Sequence, residues 1–270
     1  KKLGSTVIIY DGNEKLNKEQ KIPDSVQNGP YAVAYDSAFA SPDDSIVITD
    51  DIETAHSSIE QGCPAVYIYD GENYISGISY IAENVEACTP QYCNEAFCRQ
   101  KGIPMTVLQT ERTYIKEITV DDLGEVYELY DDDEIRKYME PLYEYEEEKK
   151  FTESYIKNMY GMYGFGMWLV KDRDTDKLIG RAGLELRLID GVEEMELGYI
   201  IGKKYRYRGY GYEVCTAIKK YAKDILGAAK LNIIVSPDNI PSIKLAEKLG
   251  AYDTGRSANS EYIIMECELD

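Results

Sequence analysis

Two arginines and two glycines stand together in RYRGYG, residues 206–211, between an apolar run, LGYII (197–201), and a helix-like run, EVCTAIKKYAKDIL (213–226). A helix start leaves backbone N–H groups without intrahelical acceptors and carries partial positive charge, so an anion there is stabilised by the backbone itself. Gly209 and Gly211 take away the Cβ atoms that would hold a phosphate off, and Arg206 and Arg208, with Lys203 and Lys204 before them, add positive charge. The chemistry that fits is the grip of a pyrophosphate; the competing reading is a glycine turn with solvated arginines. Two familiar phosphate loops do not match. A dinucleotide fingerprint wants Gly or Ala where Val214 stands, and a P-loop wants Gly-Lys followed by Ser or Thr.

The cysteines offer less. Cys88, Cys93 and Cys98 repeat every five residues, and on a helix such steps turn each thiol about 140° from the last, so they scatter around the axis. No CxxC is present, His56 is the single histidine, and no metal is expected. The thiols at 63, 88, 93, 98, 215 and 267 are read as reduced and structural.

These residues must be held by elements, and the chain alternates as two α/β halves. STVIIY (5–10) and SIVITDD (45–51) have the form of buried parallel strands, DIETAHSSIEQG that of a helix closed by Gly62, and PAVYIYDG that of a returning strand. CNEAFCRQKGIP (93–104) predicts another helix ended by Gly102, and MTVLQ a short strand or linker before a boundary near Thr110. The second half restarts with the strand-like TYIKEI and a helix capped by Thr119, with Asp121 and Asp122 in its first turn. MEPLYEYEEEKKF reads as a helical or loop lid. FGMWLVKD, DKLIGRAGLELRL and GVEEMELGYII form an antiparallel meander. After RYRGYG, Val214, Ala217, Ile218, Tyr221, Ala222 and Ile225 share one helical face, so that helix packs on the sheet while its N-terminus stays open. LNIIV (231–235) is the next strand, and a last helix starts near Pro241 and closes at Gly250.

With 44% hydrophobic and 29% charged residues in 270, the composition is globular, and no apolar run approaches the roughly 18 residues of a membrane span. KKLGSTVIIYDGN carries no signal-peptide cleavage pattern, so the expected compartment is the cytoplasm, without membrane partners. A net charge of −19 argues against nucleic acid and admits a cationic partner.

The order strand, RYRGYG, helix, strand, PDNIPSIKLAEKLGA resembles the GCN5-related N-acetyltransferase family over residues 110–270. Arg206, Gly209 and Gly211 fill its coenzyme signature, and Asn239, Ser242 and the Leu249–Ala251 turn fill its later motif. TERTYIKEIT and ELGYII look most like the branch of ribosomal-protein N-terminal acetyltransferases. The resemblance implies a mostly antiparallel sheet splayed between MELGYII and LNIIV, with acetyl-CoA as co-substrate in the wedge. Tyr199, Ile200 and Ile201 would then pair with its pantetheine, and Arg206, Tyr207, Arg208, Gly209, Tyr210 and Gly211 would surround its pyrophosphate, with Asn239 and Ser242 beside it. The expected activity is transfer of an acetyl group to a primary amine, on a protein N-terminus or a small cationic molecule. The family's thiolate-protonating tyrosine is matched here by Ala246, which leaves Ser242 as the donor to the leaving thiolate and Glu196 as the base, with Glu185 and Glu194 competing.

Residues 1–109 resemble, more distantly, the later half of a haloacid-dehalogenase-like, Rossmann-like hydrolase. Its Asp-x-Asp pair is reduced to Asp11 in IIYDGN, which implies a degenerate domain with Asp50 and Asp51 as strand-end residues. The alternative functions are a coenzyme- or phospho-ligand-binding module without turnover and a phosphatase-like activity in this first half.

Overall fold

A computed structural model describes residues 6–10, 32–34, 45–69, 71, 76–258 and 261–269, and the chain divides into two compact units, Lys1–Met105 and Thr106–Asp270. Asp11 lies outside the described residues.

In the first unit β1 (Thr6–Tyr10), β2 (Ala32–Ala34), β3 (Ser45–Thr49), β4 (Ala65–Ile68) and β5 (Ile81–Ala82) run parallel in the order β2-β1-β3-β4-β5. Helix α1 (Ile52–Glu60) joins β3 to β4, and α2 (Pro90–Gln100) follows β5. β3 is buried along its whole length because both faces are covered: Ile46 and Ile48 pack with Phe97 of α2, and Val47 packs with Ala55 of α1. A strand covered on both sides needs a continuous apolar run, which SIVIT supplies. Asp51 caps α1, accepting from the Thr54 amide at 3.2 Å. Helix α2 begins three residues earlier than its sequence pattern indicates, because Thr89 caps it and Pro90 occupies its first turn, where a missing N–H costs nothing. The six cysteines are buried thiols.

The second unit contains β6 (Thr106–Gln109), β7 (Thr113–Lys116), α3 (Leu123–Tyr130), α4 (Asp133–Tyr138) and α5 (Tyr145–Tyr155), the last passing through a π-helical turn, Ile156–Tyr160, into α6 (Gly161–Tyr163). There follow β8 (Met167–Asp172), β9 (Leu178–Ile189), β10 (Val192–Ile201), α7 (Tyr210–Asp224), β11 (Lys230–Val235), α8 (Ile240–Lys248), β12 (Tyr252–Ala258) and β13 (Tyr262–Glu268). The sheet runs β12-β13-β11-β10-β9-β8-β7-β6, antiparallel at each junction except β10 with β11. It is the mixed, mostly antiparallel sheet that the resemblance implies. Of the two readings of MTVLQ, short strand or linker, the structure has the strand: β6 hydrogen-bonds to β7, and the second compact unit begins at Thr106.

Alternation along β10 separates the two faces of the sheet. Leu197 packs in one core with Val214, Ile218 and Ala222 of α7, and Tyr199 reaches Ser242 of α8. Ile200, one residue on, instead clusters with Leu129 and Ile135 of α3 and α4. Trp168, fully buried, meets Tyr221 of α7 edge to face at 5.6 Å. The apolar stripe of α7 is shorter than its sequence suggests. The helix ends at Asp224, leaving Ile225 61% exposed, while Cys215 joins the buried set.

Candidate active site

β10 and β11 are parallel neighbours paired at a single register position, Glu196 with Asn232. Beyond it β10 continues to Ile201 while bonded to β9 alone, Tyr199 opposite Ala182 and Ile201 opposite Gly180. The two strands therefore part, and the edge of residues 198–201 faces a wedge.

At the open end of that wedge lies RYRGYG. Tyr207 (φ 59°) and Gly209 (φ 84°) are both left-handed, and Gly209 is the N-cap of α7 with no side-chain cap. Left-handed residues of this kind turn successive amides toward one side, the geometry of anion-binding concavities. Among the described residues, none accepts a hydrogen bond from the amides of Gly209, Tyr210, Gly211 or Tyr212; the first capped amide is that of Glu213, which donates to the Gly209 carbonyl at 3.0 Å. The two glycines do different things. Gly209 is needed for its dihedral, whereas a Cβ on Gly211 would stand 2.9 Å from Leu245 Cδ2 of α8, so Gly211 lets the two helices close on each other.

Arg206 does not supply free positive charge. Its Nε donates to the Ile201 carbonyl at 2.8 Å, and its two terminal nitrogens meet Asp132 Oδ2 at 2.5 Å and the Glu134 carboxylate. It shapes the loop and neutralises two carboxylates, while the side chains of Arg208, Lys203 and Lys204 stay exposed. The helix start is braced by a pair that the sequence pattern did not reveal. Glu213 accepts from the Thr110 hydroxyl at 2.6 Å, the Arg112 amide at 2.9 Å and Arg112 Nε at 2.7 Å, and the Arg112 guanidinium lies 4.1 Å from the centre of the Tyr210 ring. Burial pushes the Glu213 carboxyl up, but these hydrogen bonds outweigh it and hold its pKa low.

Asn239 caps α8 by accepting from the Ser242 amide at 3.3 Å, so Ser242 is not itself the cap. The Ser242 hydroxyl donates to the Tyr199 phenol oxygen at 3.0 Å, and the phenol donates to the Ser242 carbonyl, also at 3.0 Å. This pair ties β10 to α8 across the wedge, and burial raises the Tyr199 pKa. Ala246 is buried in the core and brings no hydroxyl.

The three glutamates separate by environment. Glu194 accepts from Asn232 Nδ2 at 2.7 Å and is ion-paired with Arg256 at 3.1 Å and Lys230 at 3.5 Å; the Arg256 hydrogen bond, chiefly, holds its pKa below the usual range. Glu196 accepts from Arg187 Nε at 2.7 Å, yet burial raises its pKa, with Arg187 opposing. Glu185, directly opposite Glu196 on β9, accepts from Arg187 at 3.1 Å and from the Tyr155 hydroxyl at 3.1 Å. Asn232 is fully buried and its Oδ1 has no partner, an arrangement that costs about 1–3 kcal/mol unless a ligand supplies a donor. Asn232, Arg187 and Tyr155 carry no motif that sequence reasoning could use; only strand register collects them.

The sequence model of the acetyltransferase (GNAT) domain matches residues 112–252. YoaA, by name an N-acetyltransferase of Bacillus subtilis strain 168, is 26% identical over 151 residues, 55% of this chain and 84% of that protein. YnaD, also by name an N-acetyltransferase of that strain, is 28% identical over 144 residues, 53% and 81% of the two chains. The folds of an acetyltransferase from Agrobacterium tumefaciens strain C58 and a GNAT-family acetyltransferase from Bacillus anthracis superpose with TM-scores of 0.51 and 0.50, at 21% and 23% identity, over 60% and 61% of this chain and 93% and 99% of theirs. An open helix start beside a splayed parallel pair, carried on this mixed sheet and matched over half the chain, places the protein in the GNAT family as an acyl-CoA-dependent N-acetyltransferase that uses acetyl-CoA as its co-substrate.

Proposed function

We propose that the second unit transfers an acetyl group to a primary amine, on a protein N-terminus or a small cationic molecule, with Glu196 and Ser242 assisting. The observation that carries this reading is the single-position pairing of β10 with β11, which leaves one strand edge and one helix start open side by side. Bound there, acetyl-CoA supplies the activated acyl group as a thioester. The edge of Tyr199, Ile200 and Ile201 would pair with the pantetheine amides, and the amides from Gly209 to Tyr212 would meet the pyrophosphate, with Arg206, Tyr207 and Arg208 setting the loop.

Glu196 lies at the closed end of the wedge, and a raised pKa suits a base that takes a proton from nitrogen near neutral pH. The amine nitrogen bonds to the acyl carbon, the C–S bond breaks, and the sulfur leaves with the electron pair. Ser242 acts as hydrogen-bond donor to that sulfur. In the resting arrangement its proton points to Tyr199, so it has to turn, while Tyr199 keeps its own bond to the Ser242 carbonyl.

Placement in the ribosomal-protein N-terminal acetyltransferase-like branch rests on the TERTYIKEIT and ELGYII segments. The first unit is read as a degenerate haloacid-dehalogenase-like domain without catalysis. That reading is supported by its parallel sheet and by Asp51, whose carboxylate is engaged as a helix cap. Calorimetry with acetyl-CoA, followed by an acetylation screen over an amine library, tests the proposal. Binding with transfer to at least one primary amine is expected; no binding at hundreds of micromolar sinks it.

A further inference from the structure

Resting on the reading of the second unit as an amine acetyltransferase, the geometry points to the class of acceptor. Three polar side chains form a row across adjacent strands on the sheet face away from α7 and α8: Asn232 on β11, Glu196 on β10 and Glu185 on β9, each directly opposite the next. Neighbouring strands put them about 4.8 Å apart, a step that a short alkyl linker between two nitrogens spans. The row continues into rings, because Tyr155 donates to Glu185 and stands beside Phe151 at 6.1 Å, which stands beside Tyr143 at 5.8 Å. Phe151 and Tyr143 are half exposed, and Tyr143 is pinned by its amide donating to the buried Glu148 at 3.0 Å.

Two independent features say what this row takes. The first is Asn232 Oδ1, a fully buried acceptor without a donor. Its amide nitrogen faces the Glu194 carboxylate, which fixes the oxygen as the end left over. An acceptor in that place, one strand from a carboxylate, calls for an N–H group. The second is Arg187, whose guanidinium bridges Glu196 and Glu185 and is itself more than half exposed, so a cation already lies across the pair. Glu140, in the stretch before α5, is close enough for its charge to be felt by that guanidinium. Three carboxylates act on this one guanidinium, with Arg181 the further cation felt at Tyr155, and aromatic faces favour cations and lie well against methylenes.

We propose that the acceptor is a linear aliphatic polyammonium ion, its reacting nitrogen held between Glu196 and Asn232 Oδ1, a second ammonium against Glu185 and Glu140, and its methylenes along Tyr155 and Phe151. Glu196 takes one proton from the reacting ammonium, the freed nitrogen lone pair bonds to the acyl carbon, the C–S bond breaks with its electron pair on sulfur, and the second nitrogen proton passes to that thiolate to give the thiol. Arg187 is the internal cation that the guest displaces.

The test compares kcat/KM for butylamine, its four-carbon diamine putrescine and a lysine-rich peptide, with acetyl-CoA binding measured on every variant. Putrescine should exceed butylamine by about tenfold or more at low salt, the worth of one close charge pair. High KCl and Glu140→Gln should each shrink that ratio, whereas Phe151→Ala should lower kcat/KM for both amines. Asn232→Ala should lower kcat/KM for both amines while leaving acetyl-CoA affinity in place. Arg187→Ala should lower KM for putrescine by removing the competing cation. Equal values for butylamine and putrescine, or preference for the peptide, overturn the acceptor assignment alone. Transfer to no amine by a protein that binds acetyl-CoA overturns it together with the transferase reading on which it rests.

Discussion

A carboxylate that takes a proton from an amine works best with a pKa near the working pH, and burial moves Glu196 that way while Arg256 and Lys230 hold Glu194 in the opposite direction. The sign gives a pH prediction. Because burial favours the protonated form of Glu196, the acid limb of the wild-type kcat/KM profile should lie above the ordinary carboxylate range, with Arg187 and Glu185 the charges that face it. Glu196→Gln should abolish that limb, lower kcat/KM at neutral pH by about 10²–10⁴-fold, and leave an activity that climbs toward alkaline pH as the amine deprotonates in solution. A variant with the wild-type profile would move the role to Glu185 or to water. Ser242→Ala should fail differently, lowering kcat by up to about 10²-fold with acetyl-CoA affinity nearly unchanged, because a donor to sulfur matters most as charge develops there. Single-turnover rates beside calorimetric affinities separate the two. Nothing in the residue types distinguishes Glu185, Glu194 and Glu196 in the sequence; the distinction comes from which cations reach each one, and those arrive from β9, β11 and β12.

At the scale of elements, the start of α7 depends on two glycines for unlike reasons. Gly209 holds φ 84°, so Gly209→Val adds backbone strain of about 1–2 kcal/mol and places a branched side chain beside the open amides. Acetyl-CoA affinity should fall far more than the melting temperature. Gly211→Val meets Leu245 and Ile201, an overpacking worth about 1–3 kcal/mol, and its main readout should be a lower Tm through the α7–α8 contact. Equal loss of affinity in the two variants, with equal Tm, would undo this division. The glycines, the helix and its open end were legible because they are local: turn residues and a 3.6-residue apolar stripe sit within one stretch of chain. The neutralisation of Arg206 was not, since Asp132 and Glu134 lie more than seventy positions earlier and reach it through α4.

At the scale of the molecule, the site residues all belong to the second unit, so deleting residues 1–105 should leave a folded fragment that binds acetyl-CoA. Cutting through 110 instead should lower both Tm and affinity, because it strips β6 from β7 and removes the Thr110 hydroxyl that helps hold Glu213 at the start of α7. Thermal unfolding and calorimetry on the two fragments check this, and a folded 106–270 fragment without affinity would show that the first unit contributes. The sequence by itself determined the local grammar of this protein: the buried runs of a two-faced parallel sheet in the first unit, the meander, and the ordered motifs from Arg206 to Ser242 that carry the family resemblance. Those signals are set by backbone dihedrals and by burial periodicity, which act between near neighbours. Tertiary structure alone decided where β10 and β11 part, which glutamate stays desolvated, that the Ser242 proton faces Tyr199, and that Asn232 is left with an unanswered oxygen. Each of these depends on the register between strands distant in sequence, and register is a property of the packed sheet rather than of any one segment.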